Sequence, residues 1–330
     1  MKINHLDLFS GIGGFHLGLE KAGFEVNAFS SEIDKYANQV YKHNFKNSTY
    51  VGTVTNIRGH ELPRIHAITF GSPCQDFSIA GKRKGLGGKR SSLINHAIRL
   101  IHECRPSFFI WENVKGTFSS NNGADFTAIL QAFADVGGYR IEWQLLNTKW
   151  FLPQNRERIY LVGYTPKRRG SKVFPIGQNY RPTDELQGQQ GNTCTLTTRY
   201  TANGNGSYII ERQLDAQVKI KTNNSKGYDI ATPGDSINYA VLNSKTRRGR
   251  VGKGQASTLD TQSQQGVLTD NKRIRRLTPI ECERLQGFPD NWTLEGIEGP
   301  ISDRQRWKMI GNAVTVDVVA EVAKRIKQVL

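Results

Sequence analysis

Asp7-Leu8-Phe9-Ser10-Gly11-Ile12-Gly13-Gly14-Phe15 is the stretch on which the fold turns. Ile3 to Phe9 reads as a short apolar strand, the glycines turn the chain, and a helical pattern runs from Phe15 to Lys21. Glycine lets backbone approach a ligand closely, and a helix start offers amides that no intrahelical carbonyl satisfies. Folds that bind NAD, FAD or S-adenosylmethionine share such a turn, as do plain tight turns. The next segments decide between them. Val26 to Ile33 reads as a second strand and Asp34 to His43 as a second helix. Glu32 stands where a strand-end acid binds ribose hydroxyls. Further strands are expected at Ala67–Gly71, Phe108–Val114, Ile141–Asn147 and Ile159–Tyr164, with helical patterns at Ser92–Glu103 and Asp125–Val136. Strands and helices alternating in this way predict an α/β fold. The expected form is a Rossmann-like, twisted, mostly parallel sheet with helices on both faces.

The chain has 330 residues, enough for two domains, and its 45 Lys and Arg against 29 Asp and Glu leave a formal charge of +16. So basic a chain points to a polyanionic partner. After about Gly163 the chain becomes rich in Gly, Asn, Thr and Gln, and helical periodicity stops until Arg273. Residues 163–274 hold 17 Lys or Arg and 8 Asp or Glu, a net 17 − 8 = +9. These cations are interleaved with Tyr, Thr and Asn, which favours a loop-rich β domain that reads a nucleic acid over a merely solvated insert. The expected division is 1–163 for the catalytic and cofactor domain and 164–274 for target recognition. Residues 275–330 would then return to complete the first domain. In that last part Thr278 and Glu281 have capping-box spacing, and Val319, Val322, Ala323, Ile326 and Val329 form an apolar stripe that must bury itself, most economically on the sheet.

Three other segments carry chemistry. Gly71-Ser72-Pro73-Cys74-Gln75-Asp76-Phe77-Ser78 follows a strand, so Cys74 sits where open sheets place their sites. A lone cysteine is more often an inert small apolar residue. The basic run after it, including Lys82, Arg83, Lys84, Lys89 and Arg90, favours a reactive thiolate and reads as a lid over phosphates. Glu112, after Phe108-Phe109-Ile110-Trp111, is expected to lose water at the strand end, which favours the protonated form and suits it to sharing a proton. Gln154-Asn155-Arg156-Glu157-Arg158 opens a later strand, where alternation puts Arg156 and Arg158 on one face; a surface ion-pair cluster is the plainer reading.

These motifs, in this order, resemble the DNA cytosine-5 methyltransferase family of restriction–modification type over essentially the whole chain. The matching segments are Asp7–Phe15, Glu32, Gly71–Ser78, Glu112–Val114, Gln154–Arg158, Arg275–Pro289 and Gly311–Val314. The resemblance implies Cys74 as nucleophile, Glu112 as the acid that holds the cytosine ring, and Arg158 as a contact to the ring carbonyl, with Arg156 in support. It implies S-adenosylmethionine as cofactor, with S-adenosylhomocysteine as product, held by Phe9, Gly11, Gly13, Glu32, Ile33, Thr53, Pro73, Leu93, Asn312 and Val314, and no metal. It implies a lid that meets DNA through Gln75, Ser78, Lys82, Arg83, Lys84, Lys89 and Arg90. Two departures stand out. Thr53 replaces the family's common Asp at the adenine amino group, which predicts weaker cofactor binding, because a hydroxyl accepts without charge assistance. Gly88 stands where the lid often has an acid.

The expected partner is double-stranded DNA, with a cognate restriction endonuclease as possible companion, no membrane, and a monomer as sufficient state. Met1 to His5 runs straight into a strand, so the sequence shows no signal peptide; four widely spaced cysteines without a CxxC pair fit reduced thiols. Both point to the cytoplasm. An RNA cytosine-5 methyltransferase on the same scaffold is a rival reading, disfavoured by the large basic insert. A catalytically dead DNA-binding regulator is disfavoured by Cys74, Glu112, Arg156 and Arg158 occurring together. A nicotinamide oxidoreductase explains neither Cys74 nor the basic region.

Overall fold

The computed structural model describes residues 1–72, 92–166, 170–177, 217–240, 250–262, 264–271 and 273–330. Its first half builds a seven-stranded sheet from β1 (Lys2–Leu8), β2 (Glu25–Ser31), β3 (Thr49–Tyr50), β4 (Ala67–Gly71), β5 (Phe108–Val114), β6 (Arg140–Asn147) and β8 (Glu157–Tyr164), with β7 (Gln154–Asn155) standing outside it. The order is β3-β2-β1-β4-β5-β8-β6. Neighbours from β3 to β5 pair in parallel, while β8 runs antiparallel to both β5 and β6. The expected mostly parallel sheet therefore holds, with one reversed strand that periodicity could not reveal.

Alternation along the strands sends side chains to two cores. Phe108 and Ile110 join Ile3, Val162 and Tyr164 on one face, covered by α1 (Gly14–Lys21) and α7 (Val316–Val329). Phe109 and Trp111 join Leu6, Phe70 and Leu161 on the other, covered by α3 (Ser92–Cys104) and α4 (Ala124–Asp135). The C-terminal apolar stripe thus buries itself against the sheet and α1, so closely that a β-carbon on Gly18 would lie 2.5 Å from Val319. Residues 170–177, which the composition change assigned to the second region, lie on the first. Val173, Phe174 and Ile176 enter its core, and Glu142 of β6 accepts the Val173 and Phe174 amides at 3.1 and 3.0 Å.

From residue 217 to 276 the described chain holds strands only. β9 (Val218–Lys221) and β10 (Tyr228–Ala231) form a hairpin. β11 (Ser236–Asn238), β12 (Val251–Gly252), β14 (Gln265–Leu268) and β15 (Ile274–Arg276) form an antiparallel sheet in the order β12-β11-β14-β15. The short β13 (Ala256–Ser257) leaves that sheet and pairs in parallel with β7. α5 (Pro279–Leu285) begins at the expected capping box, Thr278 accepting the Glu281 amide and Glu281 the Thr278 amide. α2 (Lys35–Asn44), α5 and α6 (Asp303–Asn312) enclose a third core around Val40, Leu285 and Ile310.

Candidate active site

The carboxyl ends of β1, β2, β4 and β5 converge on one edge of the sheet. At β1 the chain leaves the strand with Phe9 at φ 53° and Gly11 at φ 53°, then enters α1 through Gly13 at φ 87°. Positive φ strains residues with a β-carbon, which accounts for the glycines. At Gly13 a β-carbon would also strike the Phe45 ring at 2.3 Å, whereas at Gly11 it would meet nothing nearer than the Phe9 carbonyl at 4.0 Å. The turn is therefore closed behind Gly13 and open above Gly11.

Glu32 and Ile33 lie just past the end of β2, not inside it as the sequence suggested. Glu32 is partly buried and fixed: one carboxylate oxygen accepts the Gly11 amide at 2.8 Å, the other the Ile33 and Asp34 amides at 2.7 and 2.8 Å. The oxygen that accepts the Gly11 amide keeps an acceptor site for a hydroxyl donor, whereas the other has both of its sites taken. Ile33 is 83% exposed, an apolar face at the rim of the turn. Thr53 sits after Gly52, its hydroxyl 3.3 Å from that of Thr55. Beneath the turn, burial holds the Asp7 carboxyl well above the usual range; the Thr69 hydroxyl, donating at 2.9 Å, opposes this and the Glu32 charge adds to it. Asn312 is exposed, Leu93 is half-buried in the α3 core, and Val314 is buried, close enough to Gly14 that a β-carbon there would meet it at 2.7 Å.

At the β4 and β5 ends alternation separates two tasks. Trp111 and Asn113 face one side and hold Ser72: the indole donates to its hydroxyl at 3.0 Å, the Asn113 amide to its carbonyl and hydroxyl at 3.2 and 3.1 Å. Glu112 faces the other side, 8% exposed, one oxygen 3.1 Å from Arg158 Nε and the other 3.2 Å from where a Gly71 β-carbon would stand. Strand register explains the meeting, for Glu112 pairs with Tyr160 and Val114 with Arg158, so Glu112 and Arg158 are diagonal neighbours. Burial and the nearby Glu112 push the Tyr160 phenol well up, against the pull of Arg156 and Arg158. The sequence reading of Glu112 weighed burial alone and missed this guanidinium.

Arg156 and Arg158 both pull on the Tyr160 phenol but hold different partners. Arg156 lies between β7 and β8, 3% exposed, and donates to the Gly311 and Ala313 carbonyls at 3.2 and 2.8 Å. Arg156 thus braces the segment carrying Asn312. Its carbonyl accepts the Thr148 amide at 2.9 Å, which carries the β6–β8 pairing past the end of β8. Ser72, Asn113 and Gln154 were missed as site-building residues; the only sequence signal for them was their position inside the motifs. Pro73, Cys74 and the whole run from Gln75 to Arg90 lie outside the described residues. Among the described residues no group of three or more His, Cys, Asp or Glu could hold a metal, and no helix is long and apolar enough to cross a membrane.

A Rossmann-like sheet with a glycine turn, a fixed acid at the second strand and a buried Glu–Arg pair on the same edge defines an S-adenosylmethionine-type methyltransferase fold. The chain belongs to the C-5 cytosine-specific DNA methylase family, whose profile matches residues 3–328. It is 34% identical over 337 residues to the type II methyltransferase M1.ScrFI of Lactococcus lactis subsp. cremoris, covering 100% of this chain and 79% of that protein. It is 32% identical over 346 residues to the type II methyltransferase M.HpaII of Haemophilus parainfluenzae, covering 100% and 90%. Among solved structures, the S. pombe Dnmt2 methyltransferase superposes with a TM-score of 0.66 at 18% identity, over 99% of this chain and 98% of that one. That likeness speaks for the fold alone. The chain is a DNA cytosine-5 methyltransferase.

Proposed function

We propose that this enzyme methylates carbon-5 of a cytosine rotated out of double-stranded DNA, through a covalent adduct with Cys74. The observation that carries the reading is the buried Glu112–Arg158 pair, which abuts Gly71 three residues before Cys74 in the chain. Cytosine carbon-5 is a poor nucleophile. Addition of the Cys74 thiolate at carbon-6 moves electron density to carbon-5, while the ring nitrogen N3 takes a proton from Glu112. Arg158 offers a fixed positive charge to the ring carbonyl as that density builds. Once carbon-5 carries the methyl group, loss of its proton to a base, cleavage of the sulfur–carbon bond and return of the N3 proton to Glu112 restore the ring and free Cys74. None of this is possible in a stacked duplex, so the base must be extruded.

The cofactor turn fits S-adenosylmethionine: the space above Gly11 admits a ligand, Glu32 can accept a ribose hydroxyl, and Ile33 offers an apolar face to adenine. That cofactor, when bound, supplies a methyl group activated by a sulfonium. Phe9, Gly11, Gly13, Glu32, Ile33, Thr53, Pro73, Leu93 and Asn312 are read as its holders, with Val314 packing the start of α1 behind it. Residues 164–274 are read as the recognition domain, except that 170–177 pack with the catalytic unit. The basic run 82–90, with Gln75 and Ser78, is read as the DNA-contacting lid. One chain carries every group the chemistry uses, so a monomer suffices. The type II names of the relatives support a cognate restriction endonuclease, and the DNA substrate supports the cytoplasm as the place of action.

The test combines bisulfite sequencing of plasmid from expressing cells with a gel for the covalent adduct. Wild-type enzyme should mark cytosine in a fixed sequence context and trap on its target duplex containing 5-fluorocytosine, because fluorine blocks the last elimination. Cys74→Ser should do neither. Normal methylation by the serine variant would refute the mechanism, and methylation of tRNA in place of duplex DNA would refute the substrate.

A further inference from the structure

We propose that Gln154 is a positioning residue that couples the recognition domain to the catalytic pair. The inference rests on the reading of Glu112 and Arg158 as the groups that hold the cytosine. Gln154 is fully buried where three parts of the chain meet. Its Oε1 accepts the Leu259 amide at 3.1 Å, while its Nε2 donates to the Leu285 carbonyl, the last residue of α5, at 2.7 Å. Backbone contacts extend the same junction. β13 lies parallel to β7, the Ala256 amide donates to the Pro153 carbonyl at 2.9 Å, and the Thr258 hydroxyl donates to the Asn155 carbonyl at 2.9 Å. Residues 256–259 thus run beside 153–155 before the chain returns to β14 of the recognition sheet.

Residues 154–158 reach the active site at their other end. Arg156 grips Gly311 and Ala313 on either side of Asn312, and Arg158 faces Glu112. A second buried glutamine closes the frame. Gln286 donates to the Ile310 carbonyl at 3.1 Å and accepts the Thr315 hydroxyl at 2.9 Å, and the hydroxyls of Thr315 and Thr148 are 2.8 Å apart. Asp260 packs so tightly on Gly311 that a β-carbon there would meet its carbonyl at 2.6 Å. Displacement of residues 256–260 when DNA is read must therefore move Gln154, and with it a rigid segment of three side chains that ends on Glu112. Buried polar networks of this kind have few alternative arrangements, because each lost bond strands a partner away from water. Catalytic alignment is sensitive to such small displacements.

The experiment uses the full-length enzyme with the target duplex that wild type methylates, a duplex with one base pair of the target changed, and the 5-fluorocytosine form of the target. Gln154→Met keeps the shape and removes both polar arms. Gln154→Glu keeps the acceptor for Leu259 and turns a second oxygen on Leu285. With saturating DNA and cofactor, Gln154→Met should methylate at least 10-fold more slowly in a single turnover, with cofactor KM within 3-fold of wild type. Its preference for the true target over the altered one should fall by a similar factor, and Gln154→Glu should recover part of both. An unchanged rate, or a rate that falls with target preference intact, overturns the coupling. Should the core variants not fold, Thr258→Val removes only the outer bond to Asn155 and should lower rate and preference together by about 3-fold; no change in either is equally fatal. Failure of wild type to trap on 5-fluorocytosine would instead strike the proposed function itself.

Discussion

At the scale of single residues, burial keeps two of the enzyme's thiols inert. Cys104 and Cys282 lie in cores, and burial, joined by neighbouring carboxylates, pushes their thiols up to about 11 and about 12. Only the thiolate reacts, so both stay unreactive near neutral pH. Maleimide treatment at about pH 7.5 should inactivate the enzyme while peptide mapping finds Cys104 and Cys282 unmodified. Inactivation that tracked label on either would remove Cys74 from its assigned place. The site residues that the sequence could reveal show a contrast of their own. Glu112 was legible because an acid ending an apolar strand is unusual. Arg158 was named as well, but its pairing with Glu112 was not legible, because strand register, a property of two distant segments, makes them diagonal neighbours.

Elements show a similar split between local and long-range causes. β4 and β5 begin and end where their sequence says, since each is a mostly apolar run buried on both faces. The reversal of β8 was illegible, for nothing local to the segment encodes a partner strand. At α5 both kinds of cause meet. The capping box was readable from spacing, whereas the paired hydrogen bonds from Arg275 to Glu281 at 2.8 and 2.7 Å depend on β15 arriving beside the helix. Burial alone would raise the Glu281 carboxyl; Arg275 and the Thr278 hydrogen bonds outweigh it and hold it low. A depressed folded value gives stability that is present above the unfolded carboxylate range and lost as pH falls through the folded one. Glu281→Gln keeps the cap but not the charge. It should cost about 1 kcal/mol in urea unfolding near neutral pH, with the gap to wild type closing as pH is lowered through about 4. A gap that is constant with pH would mean that the ion pair contributes nothing.

For the whole molecule the question is what its excess positive charge does. Of the net +9 in residues 163–274, part is already committed within the fold. Arg250 is buried and donates to the Asn238 and Ala240 carbonyls, and Lys253 pairs with Asp235. Lys221 and Lys226, by contrast, stand exposed on or beside the β9–β10 hairpin, as does Lys219, whose ammonium lies 4.6 Å from the centre of the Tyr228 ring. Phosphate neutralisation releases condensed counterions, so affinity falls with salt at a log–log slope near −0.9 per contact. With about five contacts the slope is about −4.5, a loss of several hundred-fold between about 50 and 200 mM salt. Fluorescence anisotropy with a duplex containing the target should show that dependence. Lys219→Gln and Lys226→Gln should each flatten the slope by about 1, if each meets one phosphate. Both should weaken target and non-target duplexes alike, because phosphate contacts carry no base identity. A wild-type slope shallower than about −1 would separate the basic region from DNA and leave its charge without a partner.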